Sequence, residues 1–470
     1  MSFIFYDTET TGTESFFDQI LQFAAIRTDG ELRELERFEV RCRLQPHVVP
    51  GPEAMRLCGT RAARLTDPTL HSHYAMVREM RARLLRWSPA LFVGWNSIKF
   101  DETLLRQALY QTLHPPYLTN TAGNSRSDAM RLVQASSVHS PGTLKLPVVG
   151  EGVTSFKLAA VAAANGFGSD RAHDAMADAE ATLHLCRILA QQAPELWSSF
   201  MRFATKAAVT DFITSESVFG VTTYYGRAYS HLVTAIAPAR DNPAEWYVFD
   251  LSTDPAELVN LHEAALQLRL EATPKPVRRI KANESPSLFT YDSAPECCAA
   301  RAYDLTELER RAALVSKETD LGQRLLAAMT KLRNPYSPGE HVEQQIYSGF
   351  FPKEDEALME SFHRTPWSGR PAIIERLRDP RLKKLGLRLL HAEQPNLLHH
   401  VSCDEHDRDL AHRVLGNGDA VPWLTLPRAM NQLEGLLTTA TGDEIVLLRE
   451  HEALLRDRLV RARTRLGITS

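Results

Sequence analysis

The stretch FIFYDTETTG, at residues 3–12, constrains the fold most strongly, because it joins an apolar run to two carboxylates. The run at 3–5 predicts a buried strand. Since alternate residues of a strand point to the same face, Asp7 and Glu9 should project together from its end. Burying unpaired charges is costly, and two neighbouring carboxylates repel each other unless a cation lies between them. The stretch therefore predicts a cation site whose other ligands lie elsewhere in the chain.

The composition is that of a globular protein. The chain has 470 residues, enough for two to four domains, with 44% hydrophobic and 24% charged residues and a net charge of −4. This balance excludes a wholly basic coat protein but allows a local basic groove. Six cysteines without a C-x-x-C pair argue against a disulfide framework or a zinc site. Without a signal peptide or a spanning apolar run, we expect a cytoplasmic protein.

Three regions follow one another, and we predict domain bounds of 1–190, 194–335 and 336–470. The first alternates strand and helix patterns, which indicates an α/β domain. The second has short β-rich runs interrupted by a helical piece and predicts a mixed β domain. The third is dominated by helical patterns, the last of which should divide into two helices at Thr441–Gly442.

Capping residues predict where helices of the first domain begin. The helix that ends near Trp87 is expected to be capped by Thr66 or Asp67. The helix that ends before Gly166 is expected to be capped by Ser155.

Three further residues are candidates for the cation site. Asp101 begins a helical pattern just after the apolar strand LFVGWN, at a sheet edge where ligands gather. His173 and Asp178 are five positions apart, so on one helix their side chains would point roughly 140° apart. We therefore place His173 in the preceding loop, Asp174 at the helix cap and Asp178 in the first turn.

The order Asp-x-Glu, Asp101, His-x4-Asp resembles the DEDDh superfamily of 3′→5′ exonucleases, and the flanking words resemble one family within it, bacterial exodeoxyribonuclease I. The words extend from the first strand to beyond residue 350: QFAAIRTD, GWNSIKFDE, NSRSD, SFKL, AHDAMAD and YSGFF. Two positions depart from the pattern. Ser127 stands where the family usually has an aromatic residue, and Lys157 stands where it usually has arginine, which loses a planar bidentate donor.

The resemblance implies an architecture and an activity. It implies an RNase-H-like nuclease domain, an SH3-like β domain and a helical domain in a C-shaped arrangement. The implied enzyme is a monomer that degrades single-stranded DNA from the 3′ end to 5′-mononucleotides, processively, in DNA repair and recombination. Its expected partner is single-stranded DNA-binding protein.

The resemblance also implies roles for the five residues. Asp7, Glu9 and Asp178 would hold one Mg²⁺, Asp7 would bridge to a second, and Asp101 would support the second ion. His173 would act as general base, a task that suits its ordinary pKa. Four carboxylates without cysteine suit Mg²⁺, and Mn²⁺ is expected to substitute.

The DNA contacts leave alternatives open. Glu9, Arg106, Lys157 and Lys206 match substrate-binding positions of the family, but Arg106 is equally a helix salt-bridge partner for Glu102. Two basic clusters, KPVRRIK and RDPRLKKLGLR, are either solvated faces or DNA contacts. Three tyrosines either stack on bases or belong to the β-domain core: Tyr224, Tyr225 and Tyr229.

Each catalytic candidate also has an ordinary interpretation as a cap, a turn residue or a surface group, but the five occur in order inside the expected words. Two rival functions remain. One is an RNA-trimming exoribonuclease, although small enzymes of that type generally lack the added domains that occupy residues 194–470. The other is a single-strand-binding adaptor on an inactive nuclease fold, although inactive domains normally lose an acid or the histidine.

Overall fold

A five-stranded mixed sheet forms the centre of the N-terminal region in the computed structural model, which describes residues 2–150, 152–168, 174–333, 339–416 and 420–468. Its order is β3-β2-β1-β4-β5, with β1, β2 and β3 antiparallel and with β4 and β5 parallel to β1. The strands are β1 (Phe3–Thr10), β2 (Ile20–Thr28), β3 (Glu34–Arg41), β4 (Leu91–Gly94) and β5 (Ser125–Asp128).

Helices cover both faces of this sheet, because β1 is apolar on both. Phe3 and Phe5 pack with α5, α7 and α8, whereas Ile4 and Tyr6 pack with α3 and α4. Two strands of two residues each, β6 (Val148–Val149) and β7 (Val153–Thr154), form a hairpin that precedes α6. The helices up to residue 215 are α1 (Pro52–Leu57), α2 (Ala62–Leu65), α3 (His73–Trp87), α4 (Asp101–Gln111), α5 (Ala129–His139), α6 (Leu158–Ala164), α7 (Ala175–Gln192), α8 (Pro194–Arg202) and α9 (Lys206–Ser215). The last of them, α9, packs on the second sheet, in addition to the four helices described with that sheet.

Two of the predicted helix caps are wrong. The cap of α3 is Ser72, whose Oγ accepts a hydrogen bond from the Ala75 N–H. Asp67 instead accepts from the N–H and hydroxyl of Thr69, which closes a turn before the helix. Ser155 lies outside α6, which begins at Leu158 without a side-chain cap.

The middle region contains a second, open sheet. Its strands are antiparallel in the order β11-β10-β9-β8-β12, with β11 and β12 at its edges. They are β8 (Phe219–Tyr225), β9 (Arg227–Ala239), β10 (Asn242–Asp250), β11 (Val277–Lys281) and β12 (Ser287–Thr290). Four helices accompany the sheet: α10 (Ala256–Val259), α11 (Glu263–Glu271), α12 (Leu305–Val315) and α13 (Asp320–Lys331). The mixed α/β class is confirmed.

The C-terminal region is helical, as predicted. The last helical pattern divides at Gly442, whose φ is 55°. The helices are α14 (Lys353–Arg364), α15 (Arg370–Arg376), α16 (Pro380–Glu393), α17 (His400–Leu415), α18 (Leu426–Leu437) and α19 (Asp443–Arg465). Among the described residues, no helix has the length and apolar character needed to cross a membrane.

The regions share their cores. Trp197 of α8 packs on Phe3, with ring centroids 5.6 Å apart, so this helix, which begins at Pro194, belongs to the core of the first sheet. Tyr110 of α4 donates a hydrogen bond to the carbonyl of Val342 at 2.9 Å and packs among C-terminal side chains. The proposed bounds 1–190, 194–335 and 336–470 stay predictions.

Candidate active site

Three carboxylates converge where β1 meets the start of α7. Asp7 and Glu9 project from the same face of β1, and Asp178 lies in the first turn of α7. One carboxylate oxygen from each lies within 4.8 Å of the other two, and all three residues are half-buried. Oxygen ligands at this spacing suit a hard divalent cation such as Mg²⁺.

Asp101, the fourth predicted acid, lies beside this group. It is the first residue of α4, it is buried, and its Oδ1 accepts a hydrogen bond of 2.5 Å from the Thr8 hydroxyl. Since Thr8 stands between Asp7 and Glu9 on β1, this bond ties the start of α4 to the strand that carries the first two acids. Asp101 lies close enough to act electrostatically on Asp7 and Glu9.

The electrostatics of the four acids indicate a missing positive charge. Burial, and then the charges of Asp101, Asp178 and Glu9, raise the pKa of Asp7 well above its usual value. Burial, Asp178 and Asp101 raise the pKa of Glu9 to about 8. Burial also raises the pKa of Asp101 to about 7. A bound divalent cation would reverse these shifts, because it favours the ionised carboxylates.

Asp174, the N-cap of α7, is held by contacts to the helix and to the first sheet. Asp174 caps α7 by accepting a hydrogen bond from the Ala177 N–H, as predicted. Its other carboxylate oxygen accepts from Arg41 at 2.7 Å and from Gln22 at 3.1 Å. His173, the predicted general base, directly precedes this anchor and lies outside the described residues.

Comparisons with known proteins agree with this arrangement. The family model described as Exonuclease matches residues 4–186, and the model described as Exonuclease I C-terminal domain matches residues 340–455, together more than half of the chain. The chain belongs to the exodeoxyribonuclease I family. It is an enzyme, and its family is one of 3′→5′ exonucleases.

Named relatives of the family match most of the chain. Exodeoxyribonuclease I of Escherichia coli (strain K12) is 26% identical over 430 residues, which cover 88% of this chain and 89% of that protein. The Haemophilus influenzae relative is 25% identical over 385 residues, covering 78% and 80%.

Solved structures of the family share the fold. E. coli Exonuclease I in complex with a dA16 oligonucleotide has a TM-score of 0.85 at 22% identity, and the match covers 97% of this chain and 99% of that one. A moderately thermophilic Exonuclease I from Methylocaldum szegediense has a TM-score of 0.83 at 24% identity, with the same coverage.

The three cations predicted to bind substrate differ from one another in exposure. Lys157 and Lys206 are exposed at the starts of α6 and α9. Arg106 is largely buried: it bonds to Glu102 at 2.8 Å, and its guanidinium lies 5.2 Å from the Tyr117 ring centre. The predicted salt bridge between Arg106 and Glu102 is therefore confirmed, and a DNA contact for each of the three cations stays a prediction.

The basic clusters are only partly available to DNA. Arg278 is paired with Asp250, and Arg381 is buried against Asp379 and backbone carbonyls. Lys383 and Lys384 are exposed. In these clusters Arg278 and Arg381 thus serve the fold, and exposed cations such as Lys275, Lys383 and Lys384 are candidate phosphate contacts.

The three tyrosines occupy the hairpin of β8 and β9. Tyr225 is 75% exposed, and Tyr224 is half-buried with its ring against Phe156 at 4.7 Å. Tyr229 is half-buried beside the guanidinium of Arg227. None of the three is a buried core residue, so the alternative that places them in the core is wrong.

Sequence reasoning missed a set of buried polar residues on β5. Asp128 accepts hydrogen bonds from the N–H groups of Asn96 and Met130, at 2.9 and 3.0 Å, and so holds the loop that leads to Asp101. Ser127 is fully buried with its Oγ 2.6 Å from that of Ser285 in the middle region. Ser127, which stands where the family usually has an aromatic residue, thus makes a packing contact between two regions. The sequence NSRSD at residues 124–128 was the signal that could have pointed to these polar residues.

Proposed function

We propose that this protein is a divalent-metal-dependent exodeoxyribonuclease that hydrolyses single-stranded DNA from the 3′ end and releases 5′-mononucleotides. The observation that carries the proposal is the convergence of Asp7, Glu9 and Asp178 within 4.8 Å. The E. coli relative, which was solved with a dA16 oligonucleotide, supports single-stranded DNA as the substrate. We further propose a role in DNA repair and recombination, a monomeric state, and single-stranded DNA-binding protein as a partner.

The residues divide the work of phosphodiester hydrolysis. Asp7, Glu9 and Asp178 would hold the catalytic metal, and Asp101 would support a second ion near Asp7. Two divalent ions, when bound, supply positive charge to the attacking and leaving oxygens. The Thr8 hydroxyl keeps Asp101 oriented toward β1. We assign to His173 the removal of a proton from the attacking water.

Mg²⁺ is the metal we propose, with Mn²⁺ as a substitute. The three converging groups are all carboxylates, which are ligands that both ions accept. Their high metal-free pKa values indicate that metal binding releases protons. We therefore expect activity to need both added metal and a neutral or higher pH.

Degradation of labelled oligonucleotides tests the proposal. Labelled single-stranded DNA, duplex DNA and a matched RNA are incubated with EDTA, and Mg²⁺ is then added in excess. We expect rapid loss of single-stranded DNA only after Mg²⁺ is added, with little cleavage of duplex or RNA. Asp7→Ala should abolish cleavage and keep single-strand binding, whereas Asp211→Ala, at an exposed site on α9, should be unaffected.

Each rival predicts a different result. Preferential cleavage of RNA would support the exoribonuclease, and binding without cleavage under Mg²⁺ or Mn²⁺ would support the adaptor. Near-wild-type turnover of Asp7→Ala would contradict the metal assignment.

A further inference from the structure

The C-terminal region contains a second cluster with metal-binding chemistry. His391 near the end of α16, and Cys403 and Asp407 on α17, each place one ligand atom within 4.8 Å of the other two. All three residues are half-buried. The cluster differs from the active site in its elements and in its donors, since it offers a sulfur and a ring nitrogen as well as a carboxylate.

Helical spacing explains why these side chains meet. Cys403 and Asp407 are four residues apart on α17, so they lie on the same face, one turn apart. His391 reaches this face from α16, and its Nε2 is 2.9 Å from Asp407 Oδ1. Its side chain is only 12% exposed, so the contact is held within the packing of the two helices.

The distances are close to those of a tetrahedral site. In such a site the bonds of zinc to sulfur, nitrogen and oxygen place the ligand atoms about 3.5 Å apart. A pair of atoms at the 4.8 Å limit would approach by about 1.3 Å, and His391 Nε2 and Asp407 Oδ1, which are 2.9 Å apart, would separate slightly. Both shifts are within the reach of side-chain rotation. A cation would take the place of the proton on His391 Nε2, and that proton would move to His391 Nδ1 by exchange with solvent, so that the ring stays neutral.

The surrounding charges suit a divalent ion. Arg465 of α19 donates hydrogen bonds to Asp407 and to Asp404, the latter at 2.9 Å. With Cys403 as thiolate, the two carboxylates and one guanidinium leave a net charge of −2. A divalent cation would neutralise this charge. Deprotonation of the thiol releases one proton to solvent as the sulfur–metal bond forms.

A neighbouring histidine, His406, lies beside the cluster but is not one of the three residues whose ligand atoms lie within 4.8 Å of one another. His406 Nδ1 lies 2.7 Å from the carbonyl oxygen of Ser402. Because a carbonyl only accepts, Nδ1 carries the proton, and Nε2 keeps its lone pair. Histidine ligands of metals are typically oriented by a hydrogen bond of this kind. The ring centre of His406 is 5.5 Å from that of His391.

We propose that His391, Cys403 and Asp407 form a Zn²⁺ site that joins α16 to α17, with His406 or water as fourth ligand. Thiolate and imidazole favour zinc over Mg²⁺, which prefers oxygen. The absence of a C-x-x-C pair argues against a multi-cysteine site but does not bear on a site with one thiolate. The bound ion would reinforce a contact that, in the described part of the chain, is made by side-chain packing and by the contact of His391 with Asp407.

Cobalt titration of the full-length protein tests this site, because a thiolate–Co²⁺ bond gives an ultraviolet charge-transfer band. The reductant is a phosphine, and excess Mg²⁺ occupies the active-site carboxylates. We expect the band in the wild type and its loss in Cys403→Ser. The matched control is Cys58→Ser, because Cys58 is a half-buried thiol whose charge interacts with Glu9. The charge-transfer band of the Cys58→Ser variant should equal that of the wild type. Zn²⁺ should displace Co²⁺ and remove the band.

Two results would overturn the proposal: no band in the wild type with excess Co²⁺, or an undiminished band in Cys403→Ser. His391→Gln keeps the thiol, and we expect it to weaken Co²⁺ affinity at least about tenfold. Circular dichroism establishes folding. If Cys403→Ser fails to fold, His391→Gln decides, because unchanged cobalt affinity in that folded variant rejects the site.

Discussion

Glu102 is a buried acceptor whose removal should destabilise the protein strongly. Its Oε1 accepts hydrogen bonds from Arg126 at 2.6 Å, Thr119 at 2.6 Å and Arg106 at 2.8 Å. The Glu102 side chain is 2% exposed and that of Arg126 is 8% exposed. Glu102→Ala would thus leave the Arg126 guanidinium buried beside an empty space.

The expected loss follows from this burial. Breaking a buried ion pair by removing one partner costs about 3–5 kcal/mol, because the remaining charge is uncompensated. Burial is the largest influence on the Glu102 pKa and raises it despite the charge of Arg106, so part of the gain from pairing is already offset. Arg126 also keeps a bond of 3.2 Å to the carbonyl of Asn283. We therefore expect a loss near the lower end, about 3 kcal/mol.

Urea unfolding followed by circular dichroism measures the effect. Glu309→Ala, at an exposed position of α12, is the control and should change stability by less than about 0.5 kcal/mol. The double variant Glu102→Leu with Arg126→Met removes the buried guanidinium of Arg126 and should recover part of the loss, because Arg106 and Thr119 still lack their acceptor. A loss below about 1 kcal/mol in Glu102→Ala, or a double variant less stable than the single one, would refute the reasoning.

Three further predictions concern catalysis, pH and strand retention. His173→Ala should lower turnover by about 10²–10⁴ without a comparable loss of metal affinity, and an unchanged rate in the folded variant would reject a catalytic role. Burial raises the pKa of Asp250, but the hydrogen bond and charge of His231 and the charge of Arg278 outweigh it and lower the pKa to about 2. The stability that these contacts confer should thus be present above pH 3.8 and lost as the pH falls toward 2. Calorimetry should show an advantage of about 2 kcal/mol over Asp250→Asn at pH 5 that vanishes near pH 2. In the third test, full-length protein is bound to a long labelled strand, and the reaction is started with Mg²⁺ plus excess unlabelled strand. The protein should remove many nucleotides at low salt and progressively fewer as the salt concentration rises. Release after one or a few nucleotides at low salt would contradict retention of the strand by the added regions.

The parts of the fold that local patterns determine were predictable. The apolar run at 3–5 and the alternation of Asp7 and Glu9 define β1, and the position of Asp178 in the first turn of α7 follows from the Asp174 cap. These rules hold because the same strand and cap geometry recurs whatever surrounds them.

Other features depend on distant contacts and were not predictable. Four residues that could cap a helix precede α3: Thr66, Asp67, Thr69 and Ser72. Because Asp67 and Thr69 close a turn with each other, the role is left to Ser72. Helix α8 was missed because Trp197 and Phe200 belong to the core of the first sheet, beyond the expected domain end.

Runs of basic residues gave the least information about which side chains could bind DNA. In β11 neighbouring arginines point to opposite faces, and Arg278 and Arg279 each meet a different acid of β10, Asp250 and Glu245. The run alone does not distinguish ion pairs from a DNA-binding surface, because the partners come from another strand.

The contact between α4 and the C-terminal region also bears on how the protein forms during synthesis. Gln107 and Tyr110 donate hydrogen bonds to the carbonyls of Glu343 and Val342, which lie 236 and 232 residues later in the chain. At ribosomal speeds of 5–20 residues per second, those acceptors emerge on the order of 10–50 s after α4. During that time the helix that begins with Asp101 lacks the partners that cover its far side. The nascent enzyme is therefore expected to complete its catalytic centre only after the acceptors at residues 342 and 343 of the 470-residue chain have emerged.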